Sequence, residues 1–221
     1  MRAREAVLVV ATLFPMLGFL QAQPPSREAS QEEYLAKFPW GQANSTPSDA
    51  MLLRIIVASK GAQRGVEVGT NTGFGAINMG IGFARNGGHL TTIEISAPTA
   101  QAARQHVQKA GLEKVVTVIQ GDALKVLPTL EGPFDFVYLD ARKPDYLKYL
   151  KLLEPKLSPG AAVVADNVID YANQMSDFLE YIQSSPLYDT VVVRTFMDAS
   201  AGQVTGRSHG SDGMLVSYKI R

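Results

Sequence analysis

From residue 65 onward, short runs of apolar and β-branched residues alternate with longer stretches whose apolar positions recur every three or four residues. The short runs fall at 65–69 (GVEVG), 90–95 (LTTIEI), 115–119 (VVTVI), 134–139 (FDFVYL) and 161–165 (AAVVA). The amphipathic stretches fall at about 74–85, 97–110, 122–130, 144–157 and 171–185. Near-continuous apolar strands, each followed by a helix, predict a parallel sheet covered on both faces. The rhythm then breaks. Runs at 190–196 (TVVVRTF) and 214–220 (MLVSYKI) are joined by a Gly/Ser-rich loop with no helix between them, so they predict an antiparallel pair. The whole pattern predicts a doubly wound α/β fold: a mainly parallel, Rossmann-like seven-stranded sheet with an antiparallel C-terminal hairpin, in a single domain over 46–221.

Upstream, a helix is expected from Thr46. Thr46 or Ser48 can cap it, Pro47 suits its first turn, and Ala50, Leu52, Leu53, Ile56 and Val57 follow at helical spacing. Residues 23–45 start Pro/Ser/Gln-rich and then carry Tyr34, Leu35, Phe38 and Trp40, which predicts a linker and an N-terminal lid. Arg2 and Arg4 precede an uncharged apolar run over 6–20, followed by Ala22 and a polar, Pro-rich stretch. That order reads as a secretory signal peptide over 1–22. The run is short for the roughly 20 residues a membrane span needs. The expected location is therefore periplasmic or secreted, with no stable span after processing, or cytoplasmic if the leader does not act.

Composition narrows the chemistry. The 221 residues carry 21 Lys+Arg against 21 Asp+Glu, and this neutral balance argues against a nucleic-acid partner. Cysteine is absent, which excludes disulfides, thiolate metal sites and cysteine nucleophiles. With three histidines in all, any metal is expected to be held mainly by oxygen.

Four clusters at predicted strand ends carry candidate chemistry. Glu67-Val-Gly69-Thr70-Asn-Thr-Gly73-Phe-Gly75 joins the first strand to a helix, where glycines let the backbone turn sharply and approach a ligand closely. Its spacing is neither the dinucleotide nor the phosphate-loop pattern, and no Lys follows it. Glu94 closes the second strand about 20 residues on, where an acid can accept both hydroxyls of a ribose. Asp122-Ala123 follows the third strand, and Asp122 can cap the next helix or accept from an adenine amino group. The fourth cluster is the sharpest. Asp140 ends the fourth strand, and Asp166-Asn167 end the fifth beside it. Two carboxylates and an amide oxygen make a hard site suited to Mg²⁺, Mn²⁺ or Ca²⁺. Lys143, just before Pro144 at a helix start, is placed to act as a general base.

These residues resemble the cation-dependent class I S-adenosylmethionine O-methyltransferases, the group of catechol and caffeoyl-CoA O-methyltransferases, over about 46–219. The resemblance implies S-adenosyl-L-methionine held by Glu67, Gly69, Thr70, Gly73, Gly75, Glu94, Asp122, Ala123 and Asp140. It implies metal ligands Asp140, Asp166 and Asn167, a catalytic Lys143, and a phenolic small-molecule substrate. Asp212-Gly213 before the last strand also fits, and a homodimer is implied for such relatives. Departures fall on the substrate side. Where catechol O-methyltransferase has a Glu near the end of the sixth strand, a loose alignment offers Asp198. Arg142 stands where an aromatic gatekeeper is expected, and Trp40 is a candidate aromatic wall. His209 lies in the 201–213 loop, which either lines the substrate mouth or is a simple turn. Two other readings compete. A nucleotide-cofactor oxidoreductase is disfavoured by the glycine spacing and the hairpin. An exported, non-catalytic ligand-binding protein is disfavoured by the intact Asp140/Lys143/Asp166/Asn167 set.

Overall fold

The computed structural model describes residues 26–41, 44–196 and 211–220; the expected leader, Asp198 and His209 lie outside the described residues. Seven strands form one sheet in the order β3-β2-β1-β4-β5-β7-β6. They are β1 Arg64–Val68, β2 His89–Glu94, β3 Val116–Gln120, β4 Phe134–Leu139, β5 Leu157–Ala165, β6 Tyr188–Phe196 and β7 Ser211–Lys219. β1 to β5 pair in parallel, as the apolar runs predict. The C-terminal hairpin is antiparallel, but β7 slots between β5 and β6 and runs against both. β6 at the edge therefore points the same way as β1 to β5. A helix before β6 gives it a parallel crossover, and the returning strand takes the inner place.

The helices are α1 Arg27–Ala36, α2 Pro47–Lys60, α3 Phe74–Asn86, α4 Ala97–Lys109, α5 Ala123–Val126, α6 Tyr146–Leu153 and α7 Ser176–Ser184. Thr46 caps α2 through its side chain, and Gly61 ends it in the left-handed conformation, matching the sequence signals. Three expected helices are shorter than their amphipathic patterns. Pro128 ends α5 in a 3₁₀ turn, and Pro144 and Pro155 place 3₁₀ turns at either end of α6. A further 3₁₀ turn over Ala172–Gln174 precedes α7.

Strand alternation divides the core. On β4, Phe136 and Tyr138 face the layer of α2, α3 and α4, while Val137 and Leu139 face α5, α6 and α7. β5 divides in the same way, with Ala162 and Val164 on the first side and Ala161, Val163 and Ala165 on the second, so both faces are covered. α1 joins the first layer: the Tyr34 hydroxyl meets His106 Nδ1 at 2.5 Å, and Phe38 packs on Phe74 with ring centres 5.2 Å apart. Buried Arg54 donates to Asn78 at 2.6 Å and pairs with Glu32, tying α1, α2 and α3 together. Among the described residues no helix is long and apolar enough to cross a membrane.

Candidate active site

Parallel strands end on one edge, and the loops that follow them bring the charged side chains together. The closest approach is at Gly69, just past β1. Its φ is +100°, and a Cβ there would lie 2.0 Å from the backbone oxygen of Asp140. Any other residue would push the ends of β1 and β4 apart. Gly73 then starts α3. Gly75 leaves room for two polar neighbours, because a Cβ there would lie 3.2 Å from Ser45 Oγ and 3.3 Å from Glu67 Oε1.

Glu94 closes β2. Its Oε2 accepts the backbone N–H of Asn71 in the glycine loop at 2.9 Å, and its Oε1 accepts that of Ser96 at 2.9 Å. One bond on each oxygen locks the carboxylate and leaves lone pairs on both. It walls a cavity of about 610 Å³, which Gly69, Asp122, Ala123, Asp140, Arg142 and Tyr149 also line. Asp122 has a second task, accepting the Leu124 N–H at 3.0 Å as the cap of α5.

Glu67 and Thr70 are buried behind the loop and do not line that cavity. The Thr70 hydroxyl pairs with that of Thr92. Glu67 Oε2 has no hydrogen-bond partner. Burial pushes its carboxyl up to about 8; the nearby Asp140 and Glu94 charges add to the rise, and a hydrogen bond from Thr92 opposes it.

At the next strand ends, Leu139 pairs with Ala165, so Asp140 and Asp166 emerge side by side. The Tyr138 hydroxyl bridges them, 3.4 Å from Asp140 Oδ2 and 3.3 Å from Asp166 Oδ2, and lies 3.3 Å from Ser45 Oγ. Burial, then the two carboxylates, hold its ionisation well above the ordinary range, so it remains a donor. Burial also pushes the Asp166 carboxyl well up; the Asp140 and Asp49 charges add to this and Lys143 opposes it.

Asn167 has a left-handed backbone (φ 60°) and donates its N–H to Asp166 Oδ1 at 2.8 Å. Its amide Nδ2 donates to Asp212 Oδ2 at 2.9 Å, which leaves Asn167 Oδ1 free as an acceptor. Asp212 is itself fixed: its Oδ1 accepts the N–H groups of Ile169 (3.1 Å), Asp170 (3.1 Å) and Gly213 (2.7 Å).

Lys143 lies in the 3₁₀ turn before α6. Its Nζ donates to Asp140 Oδ1 at 3.1 Å and to the Tyr146 hydroxyl at 2.8 Å. The Tyr171 ring lies 5.9 Å away and the Tyr146 ring 5.1 Å. The structure thus brings together Asp140, Lys143, Asp166 and Asn167 as one group, with Glu94, Asp122 and Ala123 around the adjoining cavity.

The substrate-side expectations fare differently. Arg142 is paired with Asp145 at 2.6 Å on the rim of the Glu94 cavity, so the residue expected as a gatekeeper sits on that cavity's side. Trp40 is part-exposed and donates to the backbone oxygen of Ser45 at 3.1 Å, which holds it over the turn into α2 and out of the core. Asp198 lies outside the described residues.

Sequence reasoning missed Tyr138, Ser45 and Asp49, and noted Asp212 without a role. Tyr138 carried a usable signal, because two residues before a strand-end acid on the same strand face is where its hydroxyl can reach that acid. Asp49 carried none, since an acid three residues after a capping Thr already has a local explanation.

Among the described residues no three His, Cys, Asp or Glu side chains come together so as to hold a metal ion. What this edge offers is two carboxylates and one amide oxygen. Those donors fit a hard divalent cation.

Comparison with known proteins agrees with this layout. The O-methyltransferase family profile matches residues 27–177. Catechol O-methyltransferase of Niastella koreensis is 34% identical over 128 residues, covering 56% of this chain and 58% of the relative. Catechol O-methyltransferase of Mycobacterium tuberculosis is 34% identical over 159 residues, 71% of each chain. Among solved structures, cofactor-bound Rv0187 from MTB superposes with a TM-score of 0.73 at 25% identity, covering 91% of this chain and 93% of that one. TomG from Streptomyces achromogenes, solved with SAM, shares the fold with a TM-score of 0.73 at 24% identity over the same shares.

Proposed function

The chain belongs to the O-methyltransferase family, and on that premise we propose that it moves the methyl group of S-adenosylmethionine to one hydroxyl of a catechol-like vicinal diphenol with the help of a divalent cation, Mg²⁺ first among Mg²⁺, Mn²⁺ and Ca²⁺. The observation that carries this reading is the Lys143 amine, held by Asp140 and Tyr146, at the strand ends beside the cavity that Glu94 walls.

In this reading the Glu94 carboxylate accepts the ribose hydroxyls, its two backbone bonds already fixing its direction. Asp140, Asp166 and Asn167 Oδ1 are the residues that would hold the cation. When bound, the cation supplies Lewis-acid polarisation of the diphenol oxygens. Tyr138 keeps the two carboxylates parallel, and Asp212 keeps the amide oxygen of Asn167 turned outward. The Lys143 amine takes the hydroxyl proton. The phenolic oxygen then bonds to the methyl carbon as the sulfur–methyl bond breaks, and the sulfonium becomes a neutral thioether. Most of the rate gain on this path comes from alignment of the reacting atoms.

The test is incubation of the protein with methyl-labelled S-adenosylmethionine, Mg²⁺ and catechols or caffeoyl esters, with and without chelator. Label on a phenolic oxygen supports the reading. Cofactor binding without transfer would point instead to a ligand-binding protein, and transfer that survives exhaustive chelation would remove the cation.

A further inference from the structure

The two edges of the sheet are built differently. β3 ends it on one side with 5 residues, and Arg104 Nε donates to the Val118 backbone oxygen there at 3.1 Å. A short strand with a charged side chain laid on its backbone is a guarded edge. β6 ends the sheet on the other side with 9 residues. β7 pairs with one edge of β6, and no strand of the described residues pairs with the other. Val191, Val192, Val193 and Arg194 are exposed in succession, the valines at 57%, 38% and 37%. Successive residues of a strand point to opposite faces, so this edge shows apolar side chains on both. Residues 189–195 contain no Pro, Lys or Gly. A long, apolar, unguarded edge is a template for another strand.

The residues along the edge say which strand fits it. Its charges are Asp189 and Arg194. A second copy pairing antiparallel about a two-fold axis at Val192 gives all 9 residues an opposite number. Val192 then meets its own copy, Val191 meets Val193, Thr190 meets Arg194, and Asp189 meets Thr195. Valine faces valine, each charge faces a threonine, and no like charges are opposed. Moving the axis off Val192 shortens the paired stretch. Moving it to Asp189 or Arg194 also sets like charges face to face. A patch that matches itself is what a two-fold interface requires. The neighbouring surface continues it. A groove of about 570 Å³ between the end of α2 and the sheet is lined by Ile56, Lys60, Asp189, Val191, Val216 and Tyr218. Val191 belongs to both groove and edge, so the pairing joins the grooves of the two copies across the seam.

We infer that the open edge of β6 is a self-association surface: two copies of the chain join by antiparallel β6–β6 pairing centred on Val192, and the sheet of one protomer runs on into that of its partner. Backbone hydrogen bonds along the seam supply affinity, and the valine pairs and the placing of Asp189 and Arg194 supply the register. The pairing also covers the one edge that nothing else guards. The cavity that Glu94 walls lies toward the other end of the sheet, around β1, β2 and β4, so the contact leaves it uncovered. The inference is therefore independent of the reaction proposed above.

The chain has no cysteine, so a single introduced thiol reports only its own neighbours. Full-length Val192→Cys, treated with a mild oxidant or a short bis-maleimide, is expected to give a covalent dimer, because opposite Cβ atoms of an antiparallel pair lie about 4.5–5.5 Å apart. Asp189→Cys is the register control: its two copies lie about six residues apart along the seam, roughly 20 Å, and are expected to stay unlinked. Ile95→Cys, 69% exposed beyond the end of β2, controls for exposure alone and is also expected to stay unlinked. Sedimentation velocity of the native protein is expected to show a dimer that dissociates on dilution. Val192→Lys puts two ammonium groups at the axis and is expected to raise the dissociation constant about 100-fold or more. The inference is overturned if the native protein sediments as a monomer at every concentration, if Val192→Cys links no more readily than Asp189→Cys or Ile95→Cys, or if Val192→Lys dimerises as tightly as native. Should Val192→Lys fail to fold, the cysteine series decides alone.

Discussion

Asp212→Asn separates orientation from charge in the proposed cation site. Asp212 Oδ1 accepts three backbone N–H groups at 2.7 to 3.1 Å, and Oδ2 accepts the Asn167 amide at 2.9 Å. Asn keeps the shape. If its oxygen stays on the three N–H groups, its own NH₂ takes the place of Oδ2 and meets the Asn167 NH₂ donor to donor. The pair relieves this when the Asn167 amide flips, which restores one neutral hydrogen bond and presents NH₂ where the cation needs oxygen. The lost charge-assisted bond is worth about 1.5–3 kcal/mol, and loss of an outer partner of a metal ligand typically weakens binding about 10- to 100-fold. A titration with Mn²⁺, read calorimetrically or by its paramagnetic signal, is therefore expected to show affinity down by that factor. Because the three N–H groups keep their acceptor, thermal stability should fall by less than in Asp212→Ala. Affinity for S-adenosylhomocysteine, assigned to Glu94 in the proposed function, should stay about the same. A Mn²⁺ affinity in Asp212→Asn equal to that of the native protein would refute the claim that Asp212 sets the direction of the amide.

Three further outcomes follow from the same geometry. Lys143→Ala should cut turnover by about 10²- to 10⁴-fold, the range for one positioned acid–base group, with cofactor affinity little changed; full activity would remove the base assignment. Glu94→Gln puts an NH₂ against the N–H of either Asn71 or Ser96 and should weaken S-adenosylhomocysteine about 10- to 100-fold while sparing Mn²⁺, as isothermal titration would show. The ligand-free protein should lose stability between about pH 5 and pH 8. Folding raises the Glu67 carboxyl from its ordinary 4.5 to about 8, so the native state holds the extra proton in that window; the contribution is full below about pH 4.5 and gone above about 8. Melting curves across that range should flatten in Glu67→Gln, and an unchanged slope would contradict the assignment.

The parallel sheet was legible because Val66, Val68, Val137, Leu139 and Val163 sit in near-continuous apolar runs that a doubly covered sheet buries. The strand-end acids were legible for the same reason: once the strands are placed, Asp140 and Asp166 must emerge at one edge. The position of β7 was not, because hairpin patterns fix which strands pair and leave open which of them takes the inner place. Nor was the support of the site. Tyr138 reads as one more apolar core residue, yet its hydroxyl ties Ser45 to both acids. Asp212 is distant in the chain from Asn167, and local spacing has no way to register the bond between them. The N-terminal segment shows the reverse case. Tyr34 and Phe38, in the segment read as a linker and lid, seat α1 on α3 and α4.

The inner place of β7 bears on how the protein is made. Synthesis runs from the N-terminus, so β1 to β5 emerge and can pair while the last strand is still missing. Until residues 211–219 follow, β5 shows a bare edge and β6 has no neighbour to hold it. Asp212, which fixes Asn167, arrives in the same stretch. Without β7 the sheet would combine an open, aggregation-prone edge with an Asn167 amide that has lost its Asp212 partner. One strand, β7, thus both closes the sheet and brings Asp212 to Asn167.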